Sequence, residues 1–347
     1  MLGCRLTQLI GLVPVLFAMA VLGNPVEGLP STGPETGTLT IQAIQGTPGG
    51  PKIGAMEVEV VLYHENRAIK SFEFILDQTG RAVLEAIPLG HSVRPVVRVK
   101  YAGVTYQEVG ELMDISSPQQ AVDVVCYEVT NDIPDWKMSV RQVMLSYAPQ
   151  GIRVTEILVV TNPDGQTWLG VERPHGKPVT MELKLPVNAK EIKLGSGFHD
   201  WCCTSVDSGV LVNHLPLMPK TTELDFSYII ETHDGSFDLD LLAPAGIEQM
   251  TVVLPEDMHA HSVDGLSLGG TRQIADTSVR YYTASNLTKD SSIRLSLSGL
   301  PMIHALAAQT SHRTPVNISP EFLIVVVLSG VVLFAGGSVV FKMKSSH

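Results

Sequence analysis

Residues 57–64 read Glu-Val-Glu-Val-Val-Leu-Tyr-His, with Val58, Val60 and Leu62 on every second position. Successive side chains of an extended chain point to opposite faces, so this alternation predicts a strand with one buried face. The period recurs on both sides of it. Leu39, Ile41 and Ala43 alternate with polar residues over 39–44, and Phe72, Phe74 and Leu76 alternate over 71–76. The turn Asp77-Gln-Thr-Gly80 leads into Arg-Ala-Val-Leu-Glu-Ala-Ile-Pro-Leu-Gly (81–90), and further strand-like runs occupy 93–106 and 121–129. Six or seven short strands with turns between them, and no competing 3.6-residue period, predict a β-sandwich of about 90 residues.

The turn that ends in Gly80, the strand after it and the run Leu84-Glu-Ala-Ile-Pro-Leu-Gly90 also resemble a known family. They are similar to the Thr-x-x-Gly…Leu-Pro-x-Gly hairpin of the carboxypeptidase regulatory-like, or transthyretin-like, domain. The resemblance covers residues 37–130. It departs from that pattern at Ile87-Pro-Leu-Gly90 and in the longer connector around residues 47–56. It implies a seven-stranded sandwich used as an accessory or binding module, with no catalytic residues to carry over.

The chain continues in the same style. Residues 141–162 read as two strands around the turn Pro149-Gln-Gly151, and Asn162-Pro-Asp-Gly165 marks another turn. Alternating runs at 179–197 and 221–230 complete a second β-sandwich, expected over 135–231. A third β-rich block is expected over 232–301, with strands at 237–244, 248–255, 278–284 and 292–301. The expected class is therefore all-β, with tandem β-sandwich domains followed by a single C-terminal transmembrane helix.

The two ends carry the apolar excess. Arg5 precedes an apolar run from Leu9 to Gly23, short for a bilayer span but normal for a signal peptide, so residues 1–23 are read as one. A flexible leader rich in Pro, Gly, Ser and Thr is expected over 24–36. Twenty uncharged residues, Phe322 to Phe341, are long enough to cross the hydrocarbon core as a helix. Lys342 and Lys344 follow at once, which predicts a cytoplasmic tail over 342–347 and an ectodomain on the other side. Residues 302–320 are read as a juxtamembrane linker. With Arg5, Lys342 and Lys344 set aside, 21 Lys and Arg face 35 Asp and Glu, a formal charge of −14 on residues 24–321. Such a surface repels phosphate backbones, which argues against nucleic acid as a partner.

Chemistry-bearing residues are few. His199-Asp200-Trp201-Cys202-Cys203 gathers metal-ligand types, and Met258-His259-Ala-His261 places two histidines at i and i+2. Read as part of a strand, adjacent cysteines point to opposite faces and could not serve one ion. His199, Cys202, Cys203, His259 and His261 are thus the candidate metal ligands, while the expectation is no metal and no cofactor. A solvated turn is the plainer reading of His259 and His261. His64-Glu65 lacks the second histidine of a zinc-protease helix, and no nucleophile elbow, P-loop or dinucleotide fingerprint occurs, so no catalytic residue is assigned. After signal removal three cysteines remain, and Cys126, in phase with Val122 and Val124, reads as a small buried hydrophobe. Asn286 and Asn317 head formal glycosylation sequons.

Three functions compete on this reading. One is a non-catalytic binding module displayed in the envelope, periplasmic or extracellular, held to lipid by one helix and taking protein or carbohydrate. Another is an accessory or assembly subunit of an envelope membrane complex. The third is an enzyme or metal carrier that uses residues 199–203.

Overall fold

The computed structural model describes residues 36–300, apart from 175, 201, 233, 234, 275, 276 and 299. The signal peptide, the leader, the juxtamembrane linker and the apolar segment 322–341 lie outside the described residues, Thr36 excepted. Among the described residues no helix is long and apolar enough to cross a membrane.

The first unit contains β1 (Thr36–Gln45), β2 (Glu57–His64), β3 (Arg67–Ile75), β4 (Arg81–Pro88), β5 (Arg94–Tyr101), β6 (Val104–Val109) and β7 (Gln119–Cys126). They form a sheet ordered β4-β1-β7 and a second ordered β3-β2-β5-β6. β1 runs parallel to β7 and antiparallel to β4. The alternation in the sequence becomes the core between the sheets: Leu39, Ile41, Val58, Val60 and Leu62 are buried, packed with Val97, Val99, Val122 and Val124. Phe72 and Phe74 are only partly covered, because β3 is an edge strand. The corner from β3 to β4 is built by Asp77. One of its carboxylate oxygens accepts from the Thr79 amide, the Thr79 hydroxyl and the Arg81 amide at 2.7–2.9 Å. These bonds hold the Asp77 carboxyl below its ordinary pKa, the Thr79 hydroxyl contributing most. Gly80 completes the corner at φ +73°, a conformation in which a side chain is strained.

The remaining strands are β8 (Val129–Thr130), β9 (Lys137–Ala148), β10 (Gly151–Asn162), β11 (Thr167–Trp168), β12 (Met181–Lys184), β13 (Ala189–Leu194), β14 (Thr204–Asp207), β15 (Val210–Asn213), β16 (Lys220–Glu231), β17 (Phe237–Leu242), β18 (Gly246–Pro255), β19 (His259–Asp264), β20 (Ser267–Ile274), β21 (Thr277–Leu287) and β22 (Ser292–Ser298). Seven of them make one sheet, ordered β13-β16-β10-β9-β18-β21-β20. Two three-stranded sheets, β12-β15-β14 and β17-β22-β19, pack their apolar residues into the same core as the large sheet.

The blocks expected at 135–231 and 232–301 therefore meet inside a single sheet. The seam is the parallel pairing of β9 with β18, where Arg141 lies opposite Met250 and Val143 opposite Val252. Alternation within a strand states which face is buried but carries no information about a partner a hundred residues away, so the sequence does not display this seam.

The first unit meets the rest through the short parallel pair β8–β11. Tyr106, fully buried, donates to the Tyr127 carbonyl at 2.8 Å and shares a hydrogen bond of 2.9 Å with the Thr167 hydroxyl. Thr47 donates to the Gly165 carbonyl at 2.6 Å and accepts from the Glu128 amide at 2.9 Å. The buried Tyr106 and Thr167 hydroxyls thus satisfy each other across the joint, while the buried Trp168 indole N–H on β11 has no hydrogen-bond partner among the described residues.

Candidate functional site

Residues 195–203, of which 201 lies outside the described residues, link β13 to β14. The segment opens Gly195-Ser-Gly197, and Gly197 sits at φ +74° with the Glu223 carbonyl oxygen only 2.4 Å from where a Cβ would stand. No other residue fits there without moving backbone. Asp225 fixes this start: its carbonyl accepts from the Gly195 amide at 2.8 Å, and its carboxylate accepts from the Ser196 amide at 2.7 Å. The chain then drives Phe198 into the core, edge-on to Phe226 with ring centroids 6.0 Å apart.

The next six residues close on themselves. The His199 carbonyl accepts from the Cys203 and Thr204 amides, both at 2.9 Å, while the His199 amide donates to the Thr204 hydroxyl at 3.2 Å. On the far side the His214 amide donates to the Cys203 carbonyl at 2.8 Å, and the Lys177 ammonium donates to the Cys202 carbonyl. The backbone is thereby pinned from β15 and from the 171–179 loop.

On this frame Cys202 and Cys203 are joined to each other by a disulfide, with their Cα atoms 3.8 Å apart. They stand in the turn before β14, not within a strand. The argument that adjacent cysteines must face opposite ways therefore fails here, because the pleat that imposes it is absent. Both residues are partly buried. The His199 Nδ1 lies 3.8 Å from the Cys202 sulfur, and one ligand atom from each of the three residues falls within 4.8 Å of the others. Asp200 is exposed and lines an open groove of roughly 660 Å³ with Ile192, Leu194, Thr204 and Val206.

The other candidates are placed elsewhere. The His214 ring turns to the Pro178 carbonyl, 2.9 Å from its Nδ1. His259 and His261 are exposed on β19, where the pairing with β22 slips between Ala260 and Ser262. Exposure still alternates through His261, with the partly buried Ala260 between the two histidines. The His64 and His91 rings lie tilted against each other with centroids 5.0 Å apart, and the His64 Nδ1 is 2.8 Å from the Ser92 carbonyl oxygen. Cys126, the last residue of β7, is fully buried in the core of the first unit, and burial pushes its thiol pKa up to about 12. A thiol held protonated to that degree is no nucleophile.

One polar constellation is absent from the sequence reading. Arg141 on β9, Glu156 on β10 and Tyr228 on β16 are all buried at 2% exposure or less. One Glu156 oxygen accepts from the Arg141 Nε at 2.9 Å and Nη2 at 2.8 Å; the other accepts from the Tyr228 hydroxyl at 3.0 Å. The Arg141 Nη1 donates to the Leu242 carbonyl at 2.8 Å, tying the large sheet to β17 of the covering sheet. Burial first, and the Glu156 charge second, hold the Tyr228 hydroxyl protonated well above its ordinary range. A signal was present: Arg141 stands in phase with Val143 and Leu145, and Glu156 in phase with Val154 and Leu158. Opposite charges in the apolar phase of two strands joined by a hairpin mark a buried pair.

No family model matches the chain. No curated protein matches it by sequence. Among solved structures it is similar to the major pilin SpaA of Corynebacterium diphtheriae, at 11% identity over 76% of this chain and 84% of that chain, with a TM-score of 0.19. The described residues form tandem β-sandwich units and are all-β.

Proposed function

We propose that this chain is a non-catalytic envelope protein that presents its β-sandwiches as binding modules outside the cytoplasm, held to the membrane by residues 322–341. The observation that carries the reading is the uncharged run Phe322–Phe341 with Lys342 and Lys344 directly behind it. The disulfide between Cys202 and Cys203 supports the same side of the membrane, since such bonds persist in oxidising compartments. The resemblance of residues 37–130 to carboxypeptidase regulatory-like domains fits with a binding role, and the two sheets of three and four strands there agree with that family's seven. The partner class is an envelope protein or carbohydrate.

Protease applied outside intact cells, or spheroplasts where an outer membrane exists, should digest residues 24–321 and leave a small C-terminal fragment. Deleting 322–347 should release a soluble protein with a β-dominated circular dichroism spectrum. Protection of the whole chain from external protease would overturn the orientation.

A further inference from the structure

We infer that the turn His199–Cys203 is a redox-gated site for a thiophilic divalent cation, zinc foremost. In the disulfide form the sulfurs satisfy each other and are poor ligands. Thiol–disulfide exchange with an external dithiol opens the site: the S–S bond takes up two electrons and two protons, and the reductant becomes a disulfide. Metal binding then displaces the two thiol protons, since the thiolate is the ligand.

The geometry fits the opened state. A tetrahedral zinc site with Zn–S of about 2.3 Å and Zn–N of about 2.0 Å sets its sulfurs about 3.8 Å apart and sulfur about 3.5 Å from nitrogen. One ligand atom from each of His199, Cys202 and Cys203 already falls within 4.8 Å of the others. The His199 Nδ1 already stands 3.8 Å from the Cys202 sulfur. The backbone beneath the two cysteines is held by hydrogen bonds to the His199 carbonyl, from the His214 amide and from Lys177. Three protein ligands in an exposed turn leave a fourth position open to water or an added ligand.

The inference stands apart from the anchoring of the chain, and its test uses the full chain in detergent with Co(II) and Zn(II) as probes. With the thiols reduced, counted and freed of reductant under anaerobic conditions, Co(II) should bind one per chain with thiolate-to-metal absorption in the near ultraviolet, and Zn(II) should displace it. The oxidised chain should show no such band. His199→Ala should weaken Zn(II) binding tenfold or more, Cys202→Ser or Cys203→Ser should remove the band, and His259→Ala with His261→Ala should change neither. A reduced chain with both thiols titratable but no band would overturn the inference, as would equal binding by the oxidised chain. Both results come from the unaltered protein, so they stand even if a variant fails to fold.

Discussion

The Arg141–Glu156–Tyr228 cluster and the His199–Cys203 turn are both groups of polar side chains with matched chemistry, yet their surroundings give them opposite roles. In the cluster each side chain is buried, and the Arg141, Glu156 and Tyr228 polar groups are partnered within the core. Nothing can reach it, so its effect is on stability and on the register of β9, β10, β16 and β17. In the turn the backbone is equally well held, but His199 is exposed and Cys202 and Cys203 are only partly buried. Rigid backbone under accessible reactive atoms is the arrangement that supports binding or redox chemistry. Burial and access, more than residue type, separate a structural cluster from a site.

The comparison breaks first at Arg141. Arg141→Ala would leave the Glu156 carboxylate buried without its cation, and removal of one partner of a buried pair costs about 3–5 kcal/mol. Chemical denaturation followed by circular dichroism should register that loss. Replacing both members together, Arg141→Met with Glu156→Leu, should recover most of it, because the desolvation of both charges is removed along with their attraction. A double variant as unstable as Arg141→Ala would mean that the Leu242 link, not the ion pair, is the main contribution.

Alkaline titration sharpens the comparison from the buried side. The folded-state pKa of Cys126 is raised from 9.0 to about 12, and that of Tyr228 is raised above 10.0. A raised pKa means the unfolded chain releases its proton first, so the stabilisation is full below pH 9 and is lost as pH rises through the folded values. Stability should therefore decline above about pH 9. Cys126→Ala should flatten the part of the decline that begins there and leave the Tyr228 part, which starts about one pH unit higher.

Much of the first unit was legible. Leu39, Ile41, Val58, Val60 and Leu62 are buried as their alternation requires, because a strand that buries one face writes that face into every second residue. Pairing between distant strands leaves no such mark, and the β9–β18 seam is the consequence. The turn at 195–203 did leave one, in Gly195-Ser-Gly197 two residues before His199. Its neighbours Leu194 and Phe198 nevertheless favour a strand reading, and from that reading came the wrong geometry for the cysteines. His199, Cys202 and Cys203 were visible as ligand types; their convergence depends on hydrogen bonds from residues 204 and 214.

The smallest expected effect is on the open side. A disulfide between adjacent residues closes almost no loop, so Cys202→Ser with Cys203→Ser should lower stability by about 1 kcal/mol. A loss comparable to that of Arg141→Ala would make the turn a structural staple and erase the distinction drawn above.

The most direct measurement is the thiol state of the chain taken from its own membrane, blocked with alkylating agent at lysis and digested with trypsin. The account predicts that the peptide spanning residues 194–220 carries no label and is lighter by two hydrogens than its dithiol form, the mark of a Cys202–Cys203 bond formed in an oxidising compartment. The Cys126 peptide should take up label once the protein is denatured. Full labelling of Cys202 and Cys203 at lysis would contradict both the outward placement of the turn and the oxidised resting state of its cysteines.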